Sequence, residues 1–423
     1  MIAEGHHGDQ VRTPARLHRP RGWVGHVAAV LSPDAVFAGR IALEREGRQR
    51  LQRLLAATAD ATRERLRPAR RRMRALVVWP GGRLAWRCVP APPDPGPGEA
   101  IVRPIAVATC DLDRPLALGA TPFPLPLRFG HECVAEVLSV GGEVTRVRPG
   151  QRVVVPFQIS CGRCRPCQWG RTGNCAAVPP ISMYGFGVGG GHWGGALSDE
   201  LAVPYADAML VPFPDGLDPV AAASVADNVC DGYRHVAPYL PDLLRQDPDT
   251  EVLIVAGVTR CPVFSASVPL YAGLVARALG ASNVVLADSR AWVRDHAERL
   301  GLEPITPREL RRRRPAPLVV DSSTTPRGLA LALSKTAPDG VCSSAGTLHA
   351  RQRLPVGTMY GRNTTFHIAR THVRMLIPPV LELMTHGRLH PEAITTTVAS
   401  FDDAPAALRD HLLGGATKTV VTA

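Results

Sequence analysis

The sequence predicts an α/β chain in two unequal domains: a β-rich domain, then a doubly wound parallel sheet. Three observations carry this. Residues 73–240 are built from short apolar runs punctuated by Gly and Pro, such as "MRALVVW", "ECVAEVLSVGG" and "QRVVVPF", the signature of many short strands. From Glu251 the pattern changes to buried strand, amphipathic helix and strand again: "EVLIVAG", "LYAGLVARALG", "NVVLAD", "RAWVRDHAERLG", "LVVDSS". The last stretch, residues 371–423, returns to a helix and a closing strand, "TKTVVTA".

The N-terminal segment has a different character. Residues 1–37 are rich in Arg, Pro, His and Gly without periodicity and are expected to be disordered, and residues 38–67 place Leu51, Leu54 and Leu55 among charges as an exposed helix ending at Pro68. Residues 1–72 hold 15 Arg against 7 acidic side chains, so they contribute +8 of the net +12. Lysine is confined to Lys335 and Lys418, so the arginine excess fits a GC-rich coding bias better than nucleic-acid binding, which is not expected. At 45% apolar and 20% charged the chain has a globular balance. No apolar run spans a bilayer and no signal-peptide pattern opens the chain, so the expected compartment is the cytoplasm. Ten cysteines, four of them at metal spacing, agree with a reducing compartment.

Those four are Cys161, Cys164, Cys167 and Cys175, in "CGRCRPCQWGRTGNC". Four thiolates complete a tetrahedral zinc and leave no position for substrate, so this cluster reads as a structural staple. Chemistry must then lie elsewhere. Further along stand "ATCDLD" with Cys110, "GHE" with His131 and Glu132, and "ADNVCDGY" with Asp227 and Cys230.

From Met73 onward the chain resembles the zinc-dependent medium-chain dehydrogenase/reductase family, which includes the alcohol dehydrogenases, and within it the glutathione-independent formaldehyde dehydrogenase-like branch. The resemblance implies a GroES-like catalytic domain (73–240), a Rossmann nucleotide-binding domain (241–370) and a C-terminal segment (371–423) rejoining the first domain. It implies two zinc ions per chain, one structural and one catalytic on Cys110, His131 and Asp227, with Cys230 as the rival for the third position and Glu132 as a supporting group or transient ligand. It also implies NAD in preference to NADP, an alcohol or aldehyde substrate, and a homodimer or homotetramer.

Departures from the family pattern accompany the likeness. Leu112 stands where the family places a proton-relaying Ser or Thr. Asp231, near the expected nicotinamide, is either an alternative proton acceptor or a carboxylate satisfied by local hydrogen bonds. In the nucleotide domain Gly257 ends the first strand, Ser267 and Val268 keep register with the family, but Pro269 replaces the third glycine of the phosphate loop. Asp288 is placed to accept the ribose hydroxyls and disfavour a 2′-phosphate, with Arg290 beside it weakening that preference. The altered loop and Leu112 keep open an alternative: a non-redox lyase or isomerase, or a lapsed enzyme that senses a ligand.

Overall fold

In the computed structural model, residues 71–121, 123–258, 265–346, 353–414 and 416–423 are described, together with Leu55, Thr58, Ala59 and Thr62. The expectations for residues 1–37 and for most of the helix at 38–67 lie outside the described residues; the four isolated positions are helical.

The β-rich part contains two sheets. Strands β1 (Arg72–Trp79) and β2 (Arg83–Pro90) form a hairpin, flanked by β4 (Leu127–Arg128) on the other edge of β1. The larger sheet centres on β3 (Ala100–Ala108) paired antiparallel with β5 (Glu132–Val140), and continues through β6 (Arg152–Val155) to β8 (Val211–Pro212), with β7 (Leu201–Val203) on β3. Strand β3 and the first four residues of β5 are almost wholly buried, so they read as apolar runs and not as alternating ones.

The second part is a six-stranded parallel sheet. Its strands are β9 (Glu251–Gly257), β10 (Asn283–Asp288), β11 (Glu303–Ile305), β12 (Ala316–Asp321), β13 (Thr336–Ser344) and β14 (Thr365–Ile368), in the order β11-β10-β9-β12-β13-β14. Counted from β9 that order is 3-2-1-4-5-6, the doubly wound dinucleotide arrangement, and it reverses direction between β9 and β12. Such sheets take their ligands in the crevice at that reversal.

Six helices matter below: α1 (Asp113–Ala117), α2 (Asn228–Val236), α3 (Ser267–Ala278), α4 (Ala291–Arg299), α5 (Pro326–Ser334) and α6 (Val373–Thr385). Helix α2 packs between α3 and α6 and so joins the two sheets. The chain then returns: β15 (Thr397–Ser400) and β16 (Thr419–Thr422) add to the larger sheet, with β16 antiparallel to β3 through Val420 and Ala108. That pairing carries Lys418 beneath the end of β3. Among the described residues, no helix is long and apolar enough to cross a membrane.

Candidate active site

Two clusters of metal-type side chains stand out. In the first, the sulfurs of Cys161, Cys164, Cys167 and Cys175 lie within 4.8 Å of one another, and none is in a disulfide. Backbone amides point at them: Cys161 N at Cys175 Sγ (3.4 Å), Cys164 N at Cys161 Sγ (3.4 Å) and Ala176 N at Cys164 Sγ (3.3 Å). Burial raises the Cys164 thiol, but the amides of Ala176 and Cys167 outweigh it and lower its pKa to about 6. Around a tetrahedral zinc, sulfurs sit about 3.8 Å apart, and Cys164 and Cys175 are at 3.9 Å. The donor set and its amide cradle fit zinc.

The second cluster is assembled from three segments. Strand β3 ends at Ala108, Thr109 N is pinned to Thr419 O (2.9 Å), and the chain turns so that Asp113 Oδ2 accepts from Cys110 N (2.8 Å) before α1 begins. His131 and then Glu132, the first residue of β5, follow Gly130, whose φ of +88° and 2.9 Å clearance to Leu197 admit no side chain. Asp227 precedes α2. One atom each from Cys110, His131, Glu132 and Asp227 falls within 4.8 Å of the others. Asp227 Oδ2 is 3.3 Å from Cys110 Sγ and 3.4 Å from His131 Nε2. Cys230, the rival ligand, is absent from this group; its thiol donates to Val225 O at 3.0 Å.

The electrostatics of this site suit a cation. Burial first, then the carboxyls of Asp227, Glu132 and Asp113, push the Cys110 thiol well up from its ordinary value. Burial likewise raises Glu132. Both ring nitrogens of His131 and Glu132 Oε1 are buried without a hydrogen-bond partner among the described residues. Orphaned buried acceptors are costly, and a divalent ion satisfies them while inverting the local preference for protonated groups. Zinc fits here too. Asp113 Oδ1 lies 3.8 Å from His131 Nδ1, placed to orient the ring as metal-bound histidines require.

Three participants were missed at the level of sequence. Lys418 is fully buried: its Nζ donates to Thr109 O, to Glu132 Oε2 (3.0 Å) and to Asn228 Oδ1 (2.9 Å). Burial lowers its pKa, but the Glu132 carboxylate more than compensates and keeps it charged. Asn228 Nδ2 donates to Cys110 Sγ (3.2 Å) and Asp227 Oδ2 (3.1 Å), linking the lysine to the ligand set. The third is Asp111, which leaves the ligand cluster for the other domain. Being one of two lysines in the chain was the available signal for Lys418; Asp111 had none beyond its place beside Cys110.

Cys110 and Asp227 of this cluster line a cleft of about 530 Å³ between the larger sheet and the parallel sheet. Leu112, Phe123, Phe157, Met183 and Phe186 make one wall apolar. Gly257, Val268, Pro269 and Arg290 line the other, with the Ser322–Thr325 segment after β12, so the cleft opens at the sheet's reversal point. Ser267 is buried beside it. An added Cβ at Gly257 would come 2.7 Å from Asp288, so only glycine fits there.

Several of the expected cofactor-side residues have partners within the chain. Asp288 is fully buried and both its carboxylate oxygens are held by Arg290, through N (2.7 Å), Nε (2.9 Å) and Nη2 (2.7 Å). Asp231 accepts from Arg234 Nε (2.5 Å) and from Thr371 Oγ1; burial raises its pKa, but Arg234, His235 and the Thr371 hydrogen bond outweigh that and hold it below the usual carboxylate range. A carboxylate so held is a poor proton acceptor, which favours the locally satisfied reading. At the start of α3, the amides expected to face a diphosphate instead donate to Asp111. A dinucleotide diphosphate does not fit this helix end with Asp111 in place.

Comparison with known proteins agrees with this architecture. Residues 96–215 match the alcohol dehydrogenase GroES-like domain. A probable zinc-binding alcohol dehydrogenase of Mycobacterium tuberculosis is 29% identical over 340 residues, covering 78% of this chain and 83% of that protein. A glutathione-independent formaldehyde dehydrogenase of Pseudomonas aeruginosa is 31% identical over 208 residues, 48% of this chain and 49% of that one. Among solved structures, an alcohol dehydrogenase from a Thermus species superposes with a TM-score of 0.73 at 29% identity, covering 83% of this chain and 99% of its own. With a GroES-like match, zinc-type relatives and two zinc-competent clusters on one doubly wound scaffold, the chain is similar over most of its length to zinc-dependent medium-chain dehydrogenases/reductases, the alcohol dehydrogenases among them.

Proposed function

We propose that the chain is a two-zinc oxidoreductase that transfers a hydride between an alcohol or aldehyde and a nicotinamide dinucleotide, NAD in preference to NADP. The single observation that carries this is the Cys110, His131 and Asp227 set, with its orphaned histidine nitrogen, bordering a half-apolar cleft on the sheet's reversal point. Zinc held there supplies Lewis acidity toward a substrate oxygen. The rest is done by the chain. Asp113 orients His131, and Asn228 together with Lys418 holds Asp227 and Glu132 in register. Phe157 and Phe186 pack on the His131 ring (centroids 5.7 and 5.0 Å) and exclude water from that side. Leu112 offers no proton acceptor and Asp231 is committed to Arg234, so the alcohol proton leaves through solvent in the open cleft.

In this reading residues 73–240 and 371–423 form the catalytic domain, 241–370 bind the nucleotide, and residues 1–72 are an extension. The four-cysteine loop is a staple near a subunit contact of a dimer or tetramer, and the free thiols suit the cytoplasm. The formaldehyde dehydrogenase likeness favours a small aldehyde or its hydrate as substrate. The test is zinc-loaded protein with NAD or NADP and a panel of alcohols, followed by nicotinamide absorbance. Alcohol-dependent reduction that disappears in Cys110→Ser supports the reading. Turnover of no alcohol or aldehyde in either direction moves it to the non-redox alternative, which Asp111 at the helix end and Leu112 in the proton path favour.

A further inference from the structure

The start of α3 faces the crevice beside Gly257, the place where an open parallel sheet presents free amides to an anionic ligand. Here those amides are taken. Asp111, on the turn after β3 and therefore in the other domain, reaches across the cleft so that its Oδ1 accepts from Ser267 N (2.9 Å), Ser267 Oγ (2.5 Å) and Ser265 Oγ, while its Oδ2 accepts from Val268 N (3.0 Å). The carboxylate is buried, and α3 has no side-chain cap of its own. Ala266, immediately before the helix, holds a φ of +78°, and Pro269 occupies its third position and has no amide to donate.

A carboxylate with four donors at a helix N-terminus imitates a bound phosphate oxygen pair. It carries the same charge sign at the same amides, so both cannot occupy them together. We infer that Asp111 is an intramolecular anion that competes with the diphosphate of a dinucleotide for the end of α3 and thereby sets cofactor affinity. Binding a diphosphate requires Asp111 to leave, which also releases the strut it forms between the two domains. The cleft thus has two states: Asp111 docked, and diphosphate docked.

This inference rests on the nucleotide-binding half of the proposed function but not on its redox half, and the probe is chosen accordingly. ADP-ribose has the diphosphate and no nicotinamide ring; adenosine has neither. Calorimetry on zinc-loaded wild type, Asp111→Asn and Asp111→Gly, with zinc content and melting temperature recorded for each, reads both states. Asn keeps the shape of the side chain and removes its charge, so it remains informative should the Gly variant fail to fold. ADP-ribose is expected to bind both variants about tenfold more tightly than wild type or better, the size of one lost charged competitor. Adenosine affinity is expected to stay within about twofold, because no phosphate is involved. ADP-ribose affinity that is unchanged or weaker in Asp111→Asn with normal zinc content overturns the inference, as does failure of ADP-ribose to bind any of the three proteins. Tighter ADP-ribose binding in a protein that turns over no alcohol leaves the inference standing and counts only against hydride transfer.

Discussion

Replacing Lys418 by Met tests the polar core that supports the ligand cluster. The lysine is 0% exposed and its ammonium group contacts Glu132 Oε2 at 3.0 Å, Asn228 Oδ1 at 2.9 Å and Thr109 O. Methionine matches its length and removes the charge, leaving Glu132 Oε2 buried without its lysine partner. Breaking a buried ion pair from one side costs about 3–5 kcal/mol. At about 2 °C per kcal/mol for a chain of this size, the melting temperature should fall by about 6–10 °C. Differential scanning fluorimetry of the zinc-loaded protein reads this directly. The double variant Lys418→Met with Glu132→Gln should recover part of the loss, because a neutral pair carries no stranded charge. A single variant that melts within about 1 °C of wild type, well short of the loss expected for a stranded buried charge, would refute the reasoning. A double variant less stable than either single would do the same.

Three further outcomes follow from the same geometry. Cys164→Ser should lower stability and remove one zinc while sparing the other, whereas Cys230→Ser should leave two zinc per chain by elemental analysis, because its thiol faces Val225 O and not the cluster. Asp227→Ala should remove the zinc that Cys164→Ser spares, read by the same analysis. His235 and His411 are buried neutral, with burial the first cause in each, and their pKa values are depressed to about 3 and about 4. The unfolded chain therefore binds the extra protons: their contribution is intact above pH 6.5 and is lost as pH falls toward those values, at about 1.4 kcal/mol per pH unit per histidine. Urea midpoints from pH 7.5 down to 4.5 should fall accordingly and fall less steeply in His235→Gln; a flat profile would show that neither ring stays neutral.

How much of this was legible in the sequence depends on the range of the interaction. The parallel sheet was readable because β9, β10 and β12 are short apolar runs separated by helical periodicity, a local signal. The four-cysteine loop was readable for the same reason, its ligands lying within one short segment. Cys110, His131 and Asp227 are far apart in sequence and were assembled only through the family resemblance; spacing alone carries no such information. What escaped was every contact made between distant segments by a residue with no motif. Lys418 reaches Glu132 because β16 pairs with β3, and Asp111 reaches Ser267 because α2 packs on α3 and brings the domains together. At Asp288 the strand end was legible, but its pairing with Arg290 is a rotamer outcome that no pattern encodes.

The measurement that bears most directly on the account is anomalous diffraction at the zinc edge from crystals of the purified protein. Two peaks are predicted: one enclosed by Cys161, Cys164, Cys167 and Cys175, and one within about 2.0–2.4 Å of Cys110 Sγ, His131 Nε2 and a carboxylate oxygen of Asp227, with a remaining position open to the cleft. A single peak at the four-cysteine loop, with no metal between Cys110 and Asp227, would contradict it.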